Sequence, residues 1–255
     1  MLSGQAPPHM ARGRLWMMLL LLLLCLSSAA AAVPTSQPSK QLEWFQLGAD
    51  IDGEVDEENF GSDVSLSSDG SHMAVGAKLN DDFASNAGIV RIYKFDESLD
   101  EWWQKGPVIY GEAAEDRSGS VVSISSDGSR VAIGADKNDG NGANAGHVRI
   151  FEYFLGNDED WIQLGSDIDG EAAIDISGRS VCLSDAGDRV AIGAHLNDGS
   201  AVDAGHVRVF EYSTSSKDWV QVGADIDGEA AGDNSGISVS LSGDGTRVAI
   251  GASSS

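Results

Sequence analysis

The chain has 255 residues, with 16 Lys and Arg against 40 Asp and Glu, a formal net charge of −24 and a sequence pI near 4.2. That balance makes nucleic acid and anionic membrane surfaces poor partners, because phosphate binding needs clustered basic residues, whereas divalent cations and basic or neutral ligands stay open. The 42% hydrophobic content argues for a folded chain, and two cysteines exclude both a disulfide framework and a zinc site built on several thiolates.

Residues 1–32 read as a secretory signal peptide. Arg12 and Arg14 flank the apolar run LWMMLLLLLLCL (15–26), and the small residues that follow offer cleavage after Ala31 or Ala32. An uncleaved anchor over 15–33 is the alternative. Cleavage removes Cys25, leaves Cys182 as the one thiol, and leaves no stretch long enough for stable membrane insertion. The expected setting is therefore secreted, extracellular or cell-surface. Residues 33–42 read as a short linker and 43–255 as repeats.

The repeat is carried by three motifs that keep one step. The first is WFQLGADIDGE (44–54), WWQKGPVIYGE (102–112), WIQLGSDIDGE (161–171) and WVQVGADIDGE (219–229). The second is VSLSSDGSHMAVGA (64–77), VSISSDGSRVAIGA (122–135), VCLSDAGDRVAIGA (181–194) and VSLSGDGTRVAIGA (239–252). The third is AGIVRIYKF (87–95), AGHVRIFEY (145–153) and AGHVRVFEY (204–212). The glycine closing the first motif falls at 53, 111, 170 and 228. Self-similarity at such a period marks a repeat architecture.

Each unit holds four strand-like runs, in the third unit 180–184, 188–194, 205–212 and 218–223, separated by Gly, Asp, Asn and Ser. No stretch after residue 32 carries a helical period with caps. Four antiparallel strands per unit predict an all-β, β-propeller-type fold. The small residues of RVAIGA suit a tightly packed inner strand, and the recurring Trp44, Trp102, Trp161 and Trp219 are expected to fill the gaps between blades. The fourth unit stops after its second strand, which predicts an incomplete ring. Open strand edges would then invite self-association. Four-bladed closure, with 43–48 as an outer strand, is the alternative.

With these motifs the chain resembles the FG-GAP repeats of integrin α-subunit-like β-propellers. The matching elements are the Gly, Asp-Gly and V-G-A positions of SGISVSLSGDGTRVAIGA (235–252) and the G-x-V-x-V of AGHVRVFEY (204–212). The resemblance covers about 43–252. It implies an extracellular binding or adhesion module, with a protein or glycan as ligand and with calcium in the loop between the first two strands. That loop departs from the family pattern. Asp69, Asp127 and Asp244 keep the Asp-Gly pair, but Arg130, Arg189 and Arg247 (His72 in the first unit) stand where the closing Asp would be. A guanidinium paired with a carboxylate is expected in place of the ion.

A second acidic segment offers metal ligands at alternate positions. Positions 1, 3, 5 and 9 of DIDGEAAGD hold Asp225, Asp227, Glu229 and Asp233. The third unit places Asp167, Asp169, Glu171 and Asp175 there, and the first Asp50, Asp52, Glu54 and Glu58. Oxygen donors around a Gly turn suit a hard cation, so Ca²⁺ is the expected ion. The second unit, with Val108 and Tyr110 at positions 1 and 3, is expected not to bind. The competing reading is a plain blade-to-blade connection, with Ile51, Ile168 and Ile226 plugging a seam.

No catalytic motif is present: no H-E-x-x-H, G-x-S-x-G or P-loop. His147 and His206 are repeat-equivalent, as structural residues are, His195 reads as a surface residue, and Cys182 as a buried strand residue in place of a Ser. The expectation is a secreted, acidic, non-catalytic binding or adhesion module. A truncated structural fragment or an extracellular hydrolase is the alternative.

Overall fold

The computed structural model describes residues 43–156 and 159–253. The signal segment, Cys25 and the linker 33–42 lie outside the described residues. The chain divides into two units, 1–45 and 46–255. Of the first, residues 43–45 are described as exposed coil, Trp44 fully so. No strand forms over 43–48.

The second unit is all-β, without a helix among the described residues. Its first sheet holds β1 (Phe60–Leu66), β2 (His72–Ala77), β3 (Ile89–Asp96), β4 (Glu101–Gln104) and the two-residue β5 (Ile109–Tyr110). The second holds β6 (Val121–Ile124), β7 (Arg130–Ala135), β8 (His147–Phe154), β9 (Asp160–Gln163) and β10 (Ile168–Asp169). The third holds β11 (Ser180–Leu183), β12 (Arg189–Ala194), β13 (His206–Ser213), β14 (Asp218–Gln221) and β15 (Ile226–Asp227). The fourth is the pair β16 (Ser238–Leu241) and β17 (Val248–Gly251). Every pairing between these strands is antiparallel, and the first four strands of each complete sheet neighbour one another in chain order. The short fifth strand pairs with the head of the third. This is an open, propeller-like arrangement of the four-strand units expected from the repeat.

Successive sheets stack with β1 against β6, β6 against β11 and β11 against β16. Between them lie two apolar layers, one built on Ile92, Ile124, Ile133 and Trp161, the next on Ile150, Leu183, Ile192 and Trp219. Trp161 and Trp219 fill these gaps, whereas Trp44, expected to do the same, is fully exposed, and three of the four repeat tryptophans reach backward. Trp102 Nε1 donates to Leu47 O (3.0 Å), Trp161 Nε1 to Lys105 O (2.8 Å) and Trp219 Nε1 to Leu164 O (2.7 Å).

Backbone bonds tie the sheets as well. Ser68 N–H donates to Ser126 O (3.1 Å), Ser126 N–H to Asp185 O (2.9 Å) and Asp185 N–H to Gly243 O (2.8 Å). The first strands add side-chain acceptors: Ser65 Oγ takes Ile124 N–H, Ser123 Oγ takes Leu183 N–H, and Cys182 Sγ takes Leu241 N–H at 3.2 Å. Cys182 is thus a half-buried seam residue that does the work of the serine it replaces.

The Asp-Gly turns are closed by hydrogen bonds to their own aspartates. Asp69 accepts from the hydroxyls of Ser67 and Ser71 and from Ser71 N–H, and these bonds, the backbone one first, hold its carboxyl well below the usual range. Bonds from Ser242 and Thr246 hold Asp244 down to about 2. Two of the three arginines expected to pair with a carboxylate do so, and Arg247 forms no ion pair among the described residues. Arg130 Nη2 meets Glu152 Oε1 at 2.7 Å and Arg189 Nη2 meets Glu211 Oε1 at 3.3 Å. Each also reaches the next sheet, Arg130 Nη1 to Gly187 O and Arg189 Nη1 to Gly245 O.

Candidate metal centre

His147 and His206 open the third strands β8 and β13, directly after an Ala-Gly pair. Gly146 and Gly205 adopt φ +74° and +73°, and a Cβ built on them would fall 2.1 Å from Ser177 O and 2.3 Å from Ser235 O. Only glycine lets the chain pass so close to the next connection, and the following histidine is driven inward. Register then sets His147 opposite Asp169 and His206 opposite Asp227. With a sheet stacked on each side, His147 is 2% and His206 1% exposed.

Two carboxylates from different units meet each imidazole. Asp167 and Asp225 come from Q-x-G-x-D, where the glutamine orients the acid: Gln163 Nε2 donates to Asp167 Oδ1 (2.6 Å) and Gln221 Nε2 to Asp225 Oδ1 (2.7 Å). One oxygen is fixed and the other is left for a ligand. The second acid, Glu112 or Glu171, belongs to the preceding unit and faces two ways. Glu112 Oε1 lies 3.3 Å from Arg149 Nη1 while its Oε2 lies 3.9 Å from His147 Nδ1. Glu171 repeats this, 3.7 Å from Arg208 and 3.8 Å from His206 Nδ1. The buried arginines are anchored on the preceding sheet, Arg149 Nη2 on Tyr110 O (2.7 Å) and Arg208 Nη2 on Asp169 O (2.6 Å).

The donor atoms of Glu112, His147 and Asp167 lie within 4.8 Å of one another, and so do those of Glu171, His206 and Asp225. His147 Nδ1 stands 4.0 Å from Asp167 Oδ2 and 4.0 Å from Asp169 Oδ1. These gaps are too long for hydrogen bonds. Two donors on one zinc-sized ion, each about 2.1 Å from it, sit about 3.4 Å apart, so the side chains of either group would have to close in by up to about 1.4 Å to share a metal. Neither ring nitrogen of His206 has a hydrogen-bond partner among the described residues. Burial, then the neighbouring guanidinium, pushes both imidazoles down, His147 to about 4. Each is thus held neutral with a lone pair free. Burial pushes Glu112 up, and burial with Asp167 pushes Asp169 up. A divalent cation would relieve that crowding of negative charge.

The acids read from the sequence are distributed differently from the loop predicted for them. Positions 1 and 5 do converge, but across units, Asp225 with Glu171, because the segment is a seam between sheets and not a closed loop. Position 9 serves the turn itself: Asp175 Oδ2 accepts from Ala172 N–H and Asn197 Nδ2, Glu58 from Glu54 N–H and Asn80 Nδ2, and Asp233 from Ala230 N–H. Asp50 accepts from Gln46, and Glu54 pairs with Arg91 at 2.8 Å. Asp52, Asp227 and Glu229 join neither group. Ile168 plugs the seam, as the competing reading had it, whereas Ile226 is 40% exposed.

The sequence reading missed Glu112, His147 and His206. It took the second unit as unable to bind, yet that unit supplies Glu112 to the group around His147. A signal was present. The third-strand head and position 1 of the acidic segment change together, as Ile89 with Val108, His147 with Asp167 and His206 with Asp225. Where the histidine is absent, so is its acid.

No family model matches the chain, and no curated protein matches it. Among solved structures it is similar to the crystal structure of a Bacteroides uniformis protein described as a 6-phosphogluconolactonase, at 12% identity and a TM-score of 0.46. The match covers 74% of this chain and 49% of the other, so the chain spans about half the length of the structure it matches. That protein is described as an enzyme, and the expectation of a non-catalytic binding or adhesion module is corrected accordingly and not carried further. A likeness at this level assigns no activity to the present chain.

Proposed function

We propose that the chain binds divalent metal ions of the zinc or manganese type at the seams between its sheets. Glu112, His147 and Asp167 would hold one, and Glu171, His206 and Asp225 the other. The observation that carries this is His206, 1% exposed, with neither ring nitrogen partnered and Nδ1 turned to a carboxylate 3.8 Å away. A buried, neutral imidazole without a partner is costly unless something binds it. An imidazole donor favours borderline ions over calcium, which takes oxygen. Because each ligand set draws on two units, the ion would clamp one sheet to the next. The setting we propose is an FG-GAP-like repeat domain behind a secretory segment, with its ion at the seam instead of in the Asp-Gly turn. A second reading is hydrolysis. Three protein donors leave a coordination position for water, as in catalytic zinc sites, and the 44% exposure of Glu112 and Glu171 favours access to it.

The test is thermal melting after EDTA treatment, with ZnCl₂, MnCl₂ or CaCl₂ restored. Zinc or manganese at about a hundred times its Kd should stabilise the fold by about 2.7 kcal/mol per occupied site, a rise of roughly 5–10 °C for each of the two. The pair His147→Ile and His206→Ile, which installs the residue found at Ile89, should abolish the rise. No rise with any ion, a rise with calcium alone, or an equal rise in the variant would overturn the proposal. Hydrolysis of 4-nitrophenyl acetate that appears with zinc and is lost in the variant would favour the second reading.

A further inference from the structure

One register row breaks the repeat. Across β2, β3 and β4 it reads His72, Lys94, Trp103. In the second sheet the same row is Arg130, Glu152, Ile162, and in the third Arg189, Glu211, Val220. Two residues beyond the row, Lys105 stands where Leu164 and Val222 stand. In the later sheets the row is closed by the Arg–Glu ion pair. In the first it carries two basic side chains side by side and no carboxylate.

All four departing residues line one cavity of about 490 Å³, which Asp127, Tyr153 and Glu159 also border. These four depart from the repeat together: Lys94 and Lys105 add positive charge and Trp103 an aromatic face, while His72 gives up the charge of the arginine it replaces. The bordering carboxylates keep their charge, but each is tied by hydrogen bonds of its own. Asp127 accepts from the hydroxyls of Ser125 and Ser129 and from Ser129 N–H, and Glu159 accepts from Tyr153 Oη at 3.0 Å. Lys105 Nζ takes over the bond that arginines make in the other sheets, donating to Gly128 O (2.9 Å), and lies 4.5 Å from the centre of the Tyr153 ring. His72 Nδ1 lies 2.9 Å from Ser71 Oγ. Lys94 forms no ion pair or hydrogen bond among the described residues, and Trp103 is 53% exposed. Burial, then the neighbouring lysines, pushes His72 down, and burial, then Lys94, pushes Lys105 down, so the basic groups feel one another across the cavity.

We propose that this cavity binds a small oxyanion carried on a flat-faced ring, the chemistry of a sulfated, phosphorylated or carboxylated sugar. Lys94 and Lys105 meet the anion and the Trp103 face meets the ring. The volume lies within the 300–1,000 Å³ of ordinary ligand sites and suits one or two sugar rings.

The test is calorimetric titration of the purified chain with N-acetylglucosamine 6-sulfate, glucose 6-phosphate and glucuronate, beside neutral N-acetylglucosamine and inorganic sulfate. At least one anionic sugar should bind, with the neutral sugar and the bare anion each weaker by about tenfold or more. Which of the three binds best identifies the anion. Lys94→Glu and Trp103→Ile install residues the other sheets carry at these places, so the fold tolerates them. Each should weaken binding by about tenfold or more while the melting temperature stays within about 2 °C. No binding of any anionic sugar at about 10 mM, equal binding of the neutral sugar, or unchanged affinity in both variants would overturn the proposal.

Discussion

Replacing Gly134 by Ala is expected to destabilise the protein by about 3 kcal/mol, near the upper end for overpacking. Gly134 lies on β7, where the second sheet meets the third. A Cβ built on it falls 2.3 Å from Gly178 O and 2.6 Å from Val121 Cγ1. Its repeat partners are as tight, 2.1 Å from Gly119 O at Gly76 and 2.0 Å from Gly236 O at Gly193. Backbone oxygens cannot swing aside as a side-chain tip can, so the sheets themselves must separate and loosen the apolar layer between them. Thermal melting should show a fall of roughly 6–12 °C for a unit of this size. Gly70→Ala is the control. Gly70 has open space around it and φ +71°, so only the backbone preference is lost, about 1 kcal/mol. Equal effects of the two substitutions would contradict the seam as described.

Trp161→Ala is expected to cost about 3–5 kcal/mol, the usual penalty for emptying a buried aromatic site. Trp161 is 5% exposed, packs with Ile124, Ile133 and Phe151, and stacks tilted on Tyr153 at 5.1 Å. Removing it also leaves Lys105 O without the indole N–H that now satisfies it at 2.8 Å. Trp161→Phe should recover most of the packing and none of that bond. Urea midpoints of the two variants separate the contributions. A Trp161→Ala midpoint equal to wild type would show that the tryptophan does not hold adjacent sheets together.

How much of this was legible depended on whether a residue's partner lay in its own unit. The four strands of each blade were readable because the repeat aligned their boundaries three or four times over. The fifth strand was not, since two residues, Ile168 and Asp169 in the second sheet, give no alternation to detect. The pairing of Arg130 and Arg189 with a carboxylate was predictable from the chemistry of the turn, and Glu152 and Glu211 lie opposite them in register. Their second bonds, to Gly187 and Gly245 of the next sheet, depend on stacking that no strand pattern records. The acidic segment failed for the same reason. Positions 1 and 5 were assigned to one loop, but the chain passes between two sheets there and gives one carboxylate to each side. His147 and His206 were set aside because repetition was taken to mean packing. Their coupled replacement by Ile89 with Val108 is what a repeat that copies a site would leave.

Native mass spectrometry of the zinc-loaded chain counts the metal ions that the seams are proposed to hold. Two ions per chain are expected, one for each group of histidine and two carboxylates. The count should fall to one in His147→Ile or His206→Ile and to none when both are changed. A chain that takes up no zinc, or a count that neither substitution lowers, would contradict the account.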